Sequence, residues 1–158
     1  MESTFLFKEQ QFGWKNWILS VVVPITLIPV SVYLGFEIIG KSSLEQIILF
    51  CILIFNSVLC LFLIFIKLEI KVTKDEIYYR VFPFHFSTQT LSKSEVLEVE
   101  SVIYNPIGEW GGWGIRKNSK GKAYNMYGNK GVEVTLKNGK IILFGSQKPD
   151  ELYDAIRK

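Results

Sequence analysis

The chain has 158 residues and a formal net charge of +3, with 18 Lys or Arg side chains against 15 Asp or Glu. Its pI is near 8.8, and 49% of its residues are hydrophobic. This modest charge, without a dense basic block, excludes nucleic acid as a main partner. A single histidine and two cysteines exclude a Cys/His metal site and a disulfide framework.

Two uncharged apolar runs, Asn16–Phe36 and Gln46–Ile66, fill most of the first 66 residues. Each is about 20 residues long, which is the length that a helix needs to cross a hydrocarbon core of roughly 30 Å. The runs predict a transmembrane helical hairpin over residues 16–66, with helices at about 16–39 and 44–66. Residues 1–15 mix aromatic with charged side chains and are predicted to lie at the membrane interface on the cytoplasmic side.

The connection between the two runs is short, so the helices are expected to be antiparallel neighbours. Ser42 with Glu45, or Ser43 with Gln46, has the spacing of a capping box, which marks the start of a helix. Basic residues are more numerous outside the hairpin than in the connection, which predicts that both termini are cytoplasmic. Pro24, Pro29 and Asn56 lie inside the runs and leave open a small subunit of a transport complex as an alternative.

After residue 66 the hydrophobic pattern becomes alternating and is punctuated by turn residues, which predicts an antiparallel sheet that closes on itself. Asn138-Gly139 predicts a tight hairpin between the last two strands. Pro149 is expected to open a final helix over residues 149–158. Seven strands are predicted, with an additional extended segment at residues 86–91: 68–73, 76–82, 96–104, 112–117, 122–127, 131–137 and 140–144.

Several blocks of the sequence resemble an uncharacterised bacterial family of small membrane proteins. They include Tyr104–Arg116, Gly121–Asn125, Gly128–Gly131 and Gly145–Pro149, and the sequence GGWGIR within the first block is the most specific. The resemblance implies two spanning helices ahead of a bacterial pleckstrin-homology-like domain, and it implies no agreed activity.

The expected fold class is therefore an α+β membrane protein in the bacterial cytoplasmic membrane. A two-helix transmembrane hairpin precedes residues 67–158, which are expected to form a pleckstrin-like, seven-stranded antiparallel β-barrel or sandwich with a C-terminal helix. The turn at Thr73–Glu76 is tight, whereas the corresponding loop of phosphoinositide-binding domains is long and basic. This difference argues against a specific inositol-phosphate site.

The sequence contains no catalytic constellation. Neither GxSxG nor HExxH occurs, and the glycines between residues 108 and 114 match no phosphate-binding loop. His85 has aromatic neighbours and is predicted to be structural or interfacial. We therefore expect no enzyme, no catalytic residue, no cofactor and no metal.

The GGWGIR block and the basic residues after it form the candidate binding surface. Alternation along a strand places Gly112, Gly114 and Arg116 on one face, and Trp113 and Ile115 on the other, which is expected to enter the core. The two glycines are then either needed for sharp curvature of the sheet or leave a bare backbone shelf beside a guanidinium. The candidate surface comprises Gly112, Gly114, Arg116, Lys117, Lys120 and Lys122.

The expected function is a membrane-anchored binding or scaffold module, with a protein partner or a second copy of the chain. The alternatives are contact with anionic lipid headgroups through the basic hairpin and the aromatic turn Phe82–Phe86, and an accessory subunit of a transport complex. The expected partners are therefore the lipid bilayer, a protein and anionic headgroups, and not nucleic acid.

Overall fold

The chain forms two compact units. The computed structural model describes residues 5–15, 25, 27–33, 35–36 and 42–158, without the side chains of residues 14, 56, 59–61 and 63–64. Unit 1 contains Met1–Phe12 and Lys67–Lys158, and unit 2 contains Gly13–Ile66. Unit 2 is therefore an insertion between two segments of unit 1.

Unit 2 contains a 3₁₀ turn at Gly13–Lys15, a helical stretch at residues 27–33 and helix α1, Ser43–Phe65. The Glu45 carboxylate accepts hydrogen bonds from the backbone N–H and the hydroxyl of Ser42, at 3.0 and 2.7 Å, and so caps the start of α1. Several apolar side chains of α1 are exposed, including Phe55 at 69%.

Among the described residues, no helix meets both the length and the hydropathy of a membrane span. This finding corrects the predicted transmembrane hairpin and, with it, the predicted multi-pass location in the cytoplasmic membrane. Most of the first predicted helix lies outside the described residues. The longest part of it that the structure describes is residues 27–33.

Unit 1 begins with a four-stranded antiparallel sheet, sheet A. Alternation of apolar and polar residues buries one face of it: Leu68, Ile70 and Val72 of β2 are each 0% exposed. Strand β1 pairs with β2 so that Phe12 lies opposite Lys67, although unit 2 separates the two strands in the sequence. In spatial order the strands are β1 (Phe7–Phe12), β2 (Lys67–Val72), β3 (Glu76–Phe82) and β4 (Gln89–Ser92).

Sheet B has five strands in the order β5-β8-β9-β7-β6, and its β7–β9 pair is parallel. Its inner face carries Tyr124 and Phe144, whose ring centroids lie 4.7 and 5.2 Å from that of Tyr79 in sheet A. These rings join the two sheets. The strands are β5 (Val96–Ile103), β6 (Gly114–Lys117), β7 (Gly121–Asn125), β8 (Lys130–Leu136) and β9 (Ile141–Gly145).

Two helices complete unit 1. Helix α2, Pro106–Trp110, connects β5 to β6, and helix α3, Pro149–Arg157, follows β9. Leu152, Ala155 and Ile156 are the buried side chains of α3, and this helix packs mainly against β5. The Lys93 ammonium donates to the Ala155 carbonyl at 2.7 Å and so holds the helix from the β4–β5 connection.

The predicted closed barrel of seven antiparallel strands is also corrected, because the described residues form nine strands in two sheets with one parallel pair. Strand β1 accounts for part of the difference. Its polar residues Lys8 and Gln10 were predicted to lie at a membrane interface, whereas they occupy the exposed face of sheet A. Phe7 and Gln11 lie on its buried face, at 6% and 1% exposure.

Candidate functional site

The GGWGIR block continues a capped helical turn. Asn105 precedes α2, and its side-chain oxygen accepts a hydrogen bond from the Gly108 N–H at 3.0 Å. Gly111 ends the helix in the left-handed region, with φ 71°, and its N–H donates to the Ile107 carbonyl at 3.0 Å. The turn places the Trp110 side chain in the core, at 6% exposure.

The next two glycines also have backbone conformations that disfavour a side chain. Gly112 has φ 117° and Gly114 has φ 104°. The Gly114 N–H donates to the side-chain oxygen of Asn125 at 2.9 Å, and the Asn125 amide nitrogen donates to the Tyr104 hydroxyl at 3.0 Å. Asn125 is fully buried. The glycines therefore serve the entry into β6, which supports the structural interpretation of the block.

The two tryptophans of this region differ in burial. Trp113 was expected in the core, but it precedes β6 and is only partly buried, with its indole N–H donating to the Gly128 carbonyl at 2.9 Å. The core position belongs to Trp110, which packs with Tyr104, Ala123 and Leu143 on the outer face of sheet B. The prediction that Trp113 enters the core is wrong because it assumed a strand from residue 112, whereas β6 begins at Gly114.

The six residues of the candidate surface do not share one face. Lys117 pairs with Lys122 in the β6–β7 register, so both lie on the face that carries Tyr124. Arg116 pairs with Ala123 on the opposite face. There its guanidinium lies beside Gly112, where a Cβ atom would approach Nη2 at 3.1 Å.

Lys120 has a different environment from the other basic residues of the hairpin. It lies in the turn between β6 and β7, where its charge partly offsets a rise in the pKa of Glu133 that burial causes. Burial is the main cause that acts on Glu133 and raises its pKa, and Glu100, directly opposite in the β5–β8 register, raises it further. Lys120 therefore lies outside the Lys117–Lys122 register pair.

His85 anchors the loop between β3 and β4. Its backbone N–H donates to the Val81 carbonyl at 2.8 Å, and its Nδ1 accepts from the Val81 N–H at 3.3 Å. The imidazole centroid lies 5.8 Å from the Tyr124 ring and 6.3 Å from the Tyr79 ring. Burial lowers the pKa of His85, and the charge of Lys122 lowers it further. A neutral imidazole thus ties this loop to both sheets.

The aromatic residues on either side of His85 are directed outward. Phe84 is 54% exposed and Phe86 is 94% exposed. The Arg80 side chain donates from Nε to the His85 carbonyl at 3.1 Å and lies 5.5 Å from the centroid of the Phe82 ring. The loop that His85 anchors against Tyr124 of β7 therefore carries exposed aromatic side chains.

A groove of about 450 Å³ separates β5 from α3. Leu97 lies at a register irregularity in β5 and is 66% exposed. The opposite wall includes Tyr153, on whose ring Arg157 stacks at 5.3 Å from the centroid. The lining residues are Lys93, Val96, Leu97, Glu98, Val99, Tyr153, Ile156 and Arg157.

Sequence reasoning missed this groove because its two walls lie far apart in the sequence. The available local signal was the adjacent apolar pair Val96-Leu97, which interrupts strict alternation and is typical of a bulge.

A partly buried polar cluster links β1 to the β9–α3 connection, and it was also not predicted. The Glu9 carboxylate accepts hydrogen bonds from the Ser146 hydroxyl at 2.5 Å and from the Gln147 N–H at 2.9 Å. The Gln11 amide nitrogen donates to the Gly145 carbonyl at 2.7 Å. Among the described atoms, the Gln11 side-chain oxygen is buried without a hydrogen-bond partner.

No group of three or more His, Cys, Asp or Glu residues in the described part of the chain is placed to hold a metal ion. Cys51 is an exposed free thiol, and the side chain of Cys60 lies outside the described residues. Pro24, which contributed to the transport alternative, lies outside them too, as does the side chain of Asn56.

Comparison with known proteins gives one assignment. Neither the curated proteins nor the solved structures contain a match to the chain. A family model described as a family of unknown function matches residues 1–158, which is the whole chain. The expectation of an uncharacterised family is confirmed, and the chain belongs to the family of unknown function DUF6141.

Proposed function

We propose that unit 1 is a protein-interaction module, not an enzyme, and that it binds an extended segment of a partner protein along β5. The observation that carries the proposal is the open edge of β5 beside the groove formed with α3.

The backbone of β5 offers hydrogen-bonding groups to an added strand. In the described part of sheet B, β8 is the only strand neighbour of β5. The Tyr104 N–H donates to the Asn129 carbonyl across the continuation of this ladder. The N–H and C=O groups of successive residues in a strand point to opposite edges. Tyr104 directs its N–H toward β8, so Val99 and Ser101, which are five and three residues before it, direct their N–H and C=O groups away from β8.

The groove provides side-chain recognition next to this edge. Leu97, Val99 and Ile156 give it an apolar part, and the stacked Tyr153 and Arg157 form one wall. An added strand places alternate side chains on one face. Main-chain hydrogen bonds along β5 would then supply affinity, while an apolar side chain in the groove would supply selectivity.

The test begins with peptides selected against the immobilised full chain from a random phage-displayed library. For a selected peptide, Leu97→Arg should weaken binding because it places a long charged side chain in the groove. Ser101→Pro should weaken binding about tenfold because it removes one outward N–H donor, a loss of about 1 to 1.5 kcal/mol. Thermal unfolding of each variant checks that the fold is retained.

Two matched variants serve as controls. Ile107→Arg places the same charge at another exposed apolar residue, which is 63% exposed, and Ser101→Ala keeps the backbone N–H. Both should bind the peptide as the original chain does. Peptide binding should also slow hydrogen exchange at Val99 and Ser101. Equal losses in Leu97→Arg and Ile107→Arg, or unchanged exchange at both amides, would contradict the proposal.

A further inference from the structure

A second surface of unit 1 combines exposed aromatic side chains with lysines. We define the aromatic–lysine surface as Phe84, Phe86, Lys117 and Lys122. Phe86 is 94% exposed. A large apolar side chain with so much of its surface exposed marks a contact site when other apolar or charged side chains lie close to it and can bind the same ligand.

The fold holds the two parts of this surface together. The His85 ring lies 5.8 Å from the Tyr124 ring, and Lys122 is two residues before Tyr124 on the same face of β7. Lys117 lies directly opposite Lys122 in the β6–β7 register. The loop with the phenylalanines and the hairpin with the lysines are therefore adjacent elements of unit 1.

The charge of both elements has one sign. Between Glu76 and Glu95 the sequence contains no acidic residue, and between Glu109 and Glu133 it contains five basic residues and no acidic one. Lys117 and Lys122 are exposed, and directly opposed like charges repel each other. A multivalent anionic surface would relieve this repulsion.

We infer that the aromatic–lysine surface binds the headgroup region of an anionic lipid bilayer. Phenylalanine side chains gain free energy when they leave water for the boundary between headgroups and acyl chains. Each basic residue near an anionic surface adds about 1 kcal/mol of attraction, which salt screens. Exposed aromatic side chains and lysines on adjacent elements match the chemistry of a bilayer surface, where negative charge covers an apolar layer.

The experiment uses the full chain with Cys51 and Cys60 replaced by alanine and one new cysteine that carries an environment-sensitive fluorophore. In Phe86→Cys the fluorophore reports on the aromatic–lysine surface. In Ile103→Cys it reports on an apolar position of unit 1 that is 75% exposed but lies outside this surface. Vesicles of phosphatidylcholine alone are compared with vesicles that also contain phosphatidylglycerol, each at low and at high salt.

The expected result is a blue shift of the fluorophore at position 86 with anionic vesicles at low salt, and little change at position 103. Lys117→Gln combined with Lys122→Gln should weaken the salt-sensitive partitioning roughly 30-fold. Arg116→Gln, which neutralises a residue of the opposite face, is the matched control and should change it less.

Three outcomes would overturn the inference. In the first, the fluorophore at position 86 does not respond to anionic vesicles, and a protein becomes the alternative ligand of the surface. The positions 86 and 103 respond equally, which indicates nonspecific adhesion of the chain. The response at position 86 is the same with neutral and anionic vesicles, which removes the role of the lysines.

Discussion

At the scale of single residues, backbone conformation explains the GGWGIR block better than surface chemistry does. The sequence drew attention to Gly112, Gly114 and Arg116, but it did not reveal that both glycines have positive φ or that Arg116 covers Gly112. Positive φ follows from how α2 ends and β6 begins, and no local pattern reports it. The buried partner of Gly114, Asn125, lies in the neighbouring strand, so only the tertiary structure joins them.

Gly114→Ala should destabilise unit 1 by about 1 to 3 kcal/mol, because alanine at this φ adds backbone strain. Thermal unfolding followed by the circular dichroism of the aromatic side chains measures the loss. Lys117→Ala, an exposed change in the same strand, is the control and should have little effect. A Gly114→Ala chain that unfolds at the original temperature would refute the conformational explanation.

Glu133 predicts a pH-dependent contribution to stability. Burial and the neighbouring Glu100 and Glu109 raise its folded-state pKa, while Lys120 opposes them. A raised folded pKa means that the folded state holds the proton more tightly, so stability is lost as pH rises from the unfolded to the folded pKa of the carboxyl. Glu133→Gln should therefore raise the unfolding temperature at neutral pH, and the gain should shrink at pH values near 4.

The control for this change is Glu98→Gln. Glu98 lies opposite Thr135 rather than opposite an acidic residue. Its substitution removes a carboxylate from the same strand pair, and it should raise the unfolding temperature at neutral pH less than Glu133→Gln does. A Glu133→Gln chain that is no more stable at neutral pH than at low pH, relative to the original, would contradict the assigned cause.

At the scale of secondary-structure elements, alternation and turn chemistry made most strands predictable. The strand at Glu76–Phe82 has the predicted bounds, and the β8–β9 hairpin turns at Asn138-Gly139 with φ 78° at the glycine. Strand β1 escaped prediction because its six residues include only two apolar ones and its partner follows after the whole of unit 2. The parallel pairing of β7 with β9 was equally inaccessible, since turn signals report only neighbours in sequence.

The polar cluster around Glu9 predicts how β1 is held. Glu9→Ala removes the acceptor of the Ser146 hydroxyl and the Gln147 N–H, and it should cost about 2 kcal/mol of stability. Hydrogen exchange at the Gln147 amide should accelerate in parallel. Lys8→Ala, at an exposed position of the same strand, should change neither quantity. An unchanged Gln147 exchange rate in Glu9→Ala would show that the Glu9 hydrogen bonds do not hold β1 against the β9–α3 connection.

At the scale of the whole molecule, the position of β1 means that unit 1 is not a contiguous segment of sequence. The apolar runs dominated the sequence and suggested a boundary near residue 67. The structure adds Met1–Phe12 to the unit that contains Lys67–Lys158. Hydropathy divides the sequence into segments by composition, whereas the structure groups segments whose strands pair. The two divisions differ here because the polar strand β1 precedes the apolar unit 2 and pairs with β2, which follows it.

A chain in which Asn-Gly joins Phe12 directly to Lys67 should fold cooperatively without unit 2, because these residues lie opposite each other in the β1–β2 register. A chain of residues 67–158 alone lacks β1 and leaves β2 as an unprotected edge. It should unfold at a lower temperature or aggregate. Equal unfolding temperatures for the two chains would show that β1 is dispensable.

The two edge strands of sheet B, β5 and β6, differ in a way that limits how many partner strands the sheet can bind. Strand β6 closes one end with only four residues, and its adjacent basic residues Arg116 and Lys117 would bring like charges close together in a pairing of two identical β6 edges. Short, charged edges oppose such addition. A strand that docks on β5 therefore extends the sheet at one end, while the other end gives no template for a further copy. Assembly through this sheet would stop at one partner for each chain rather than grow into a fibre.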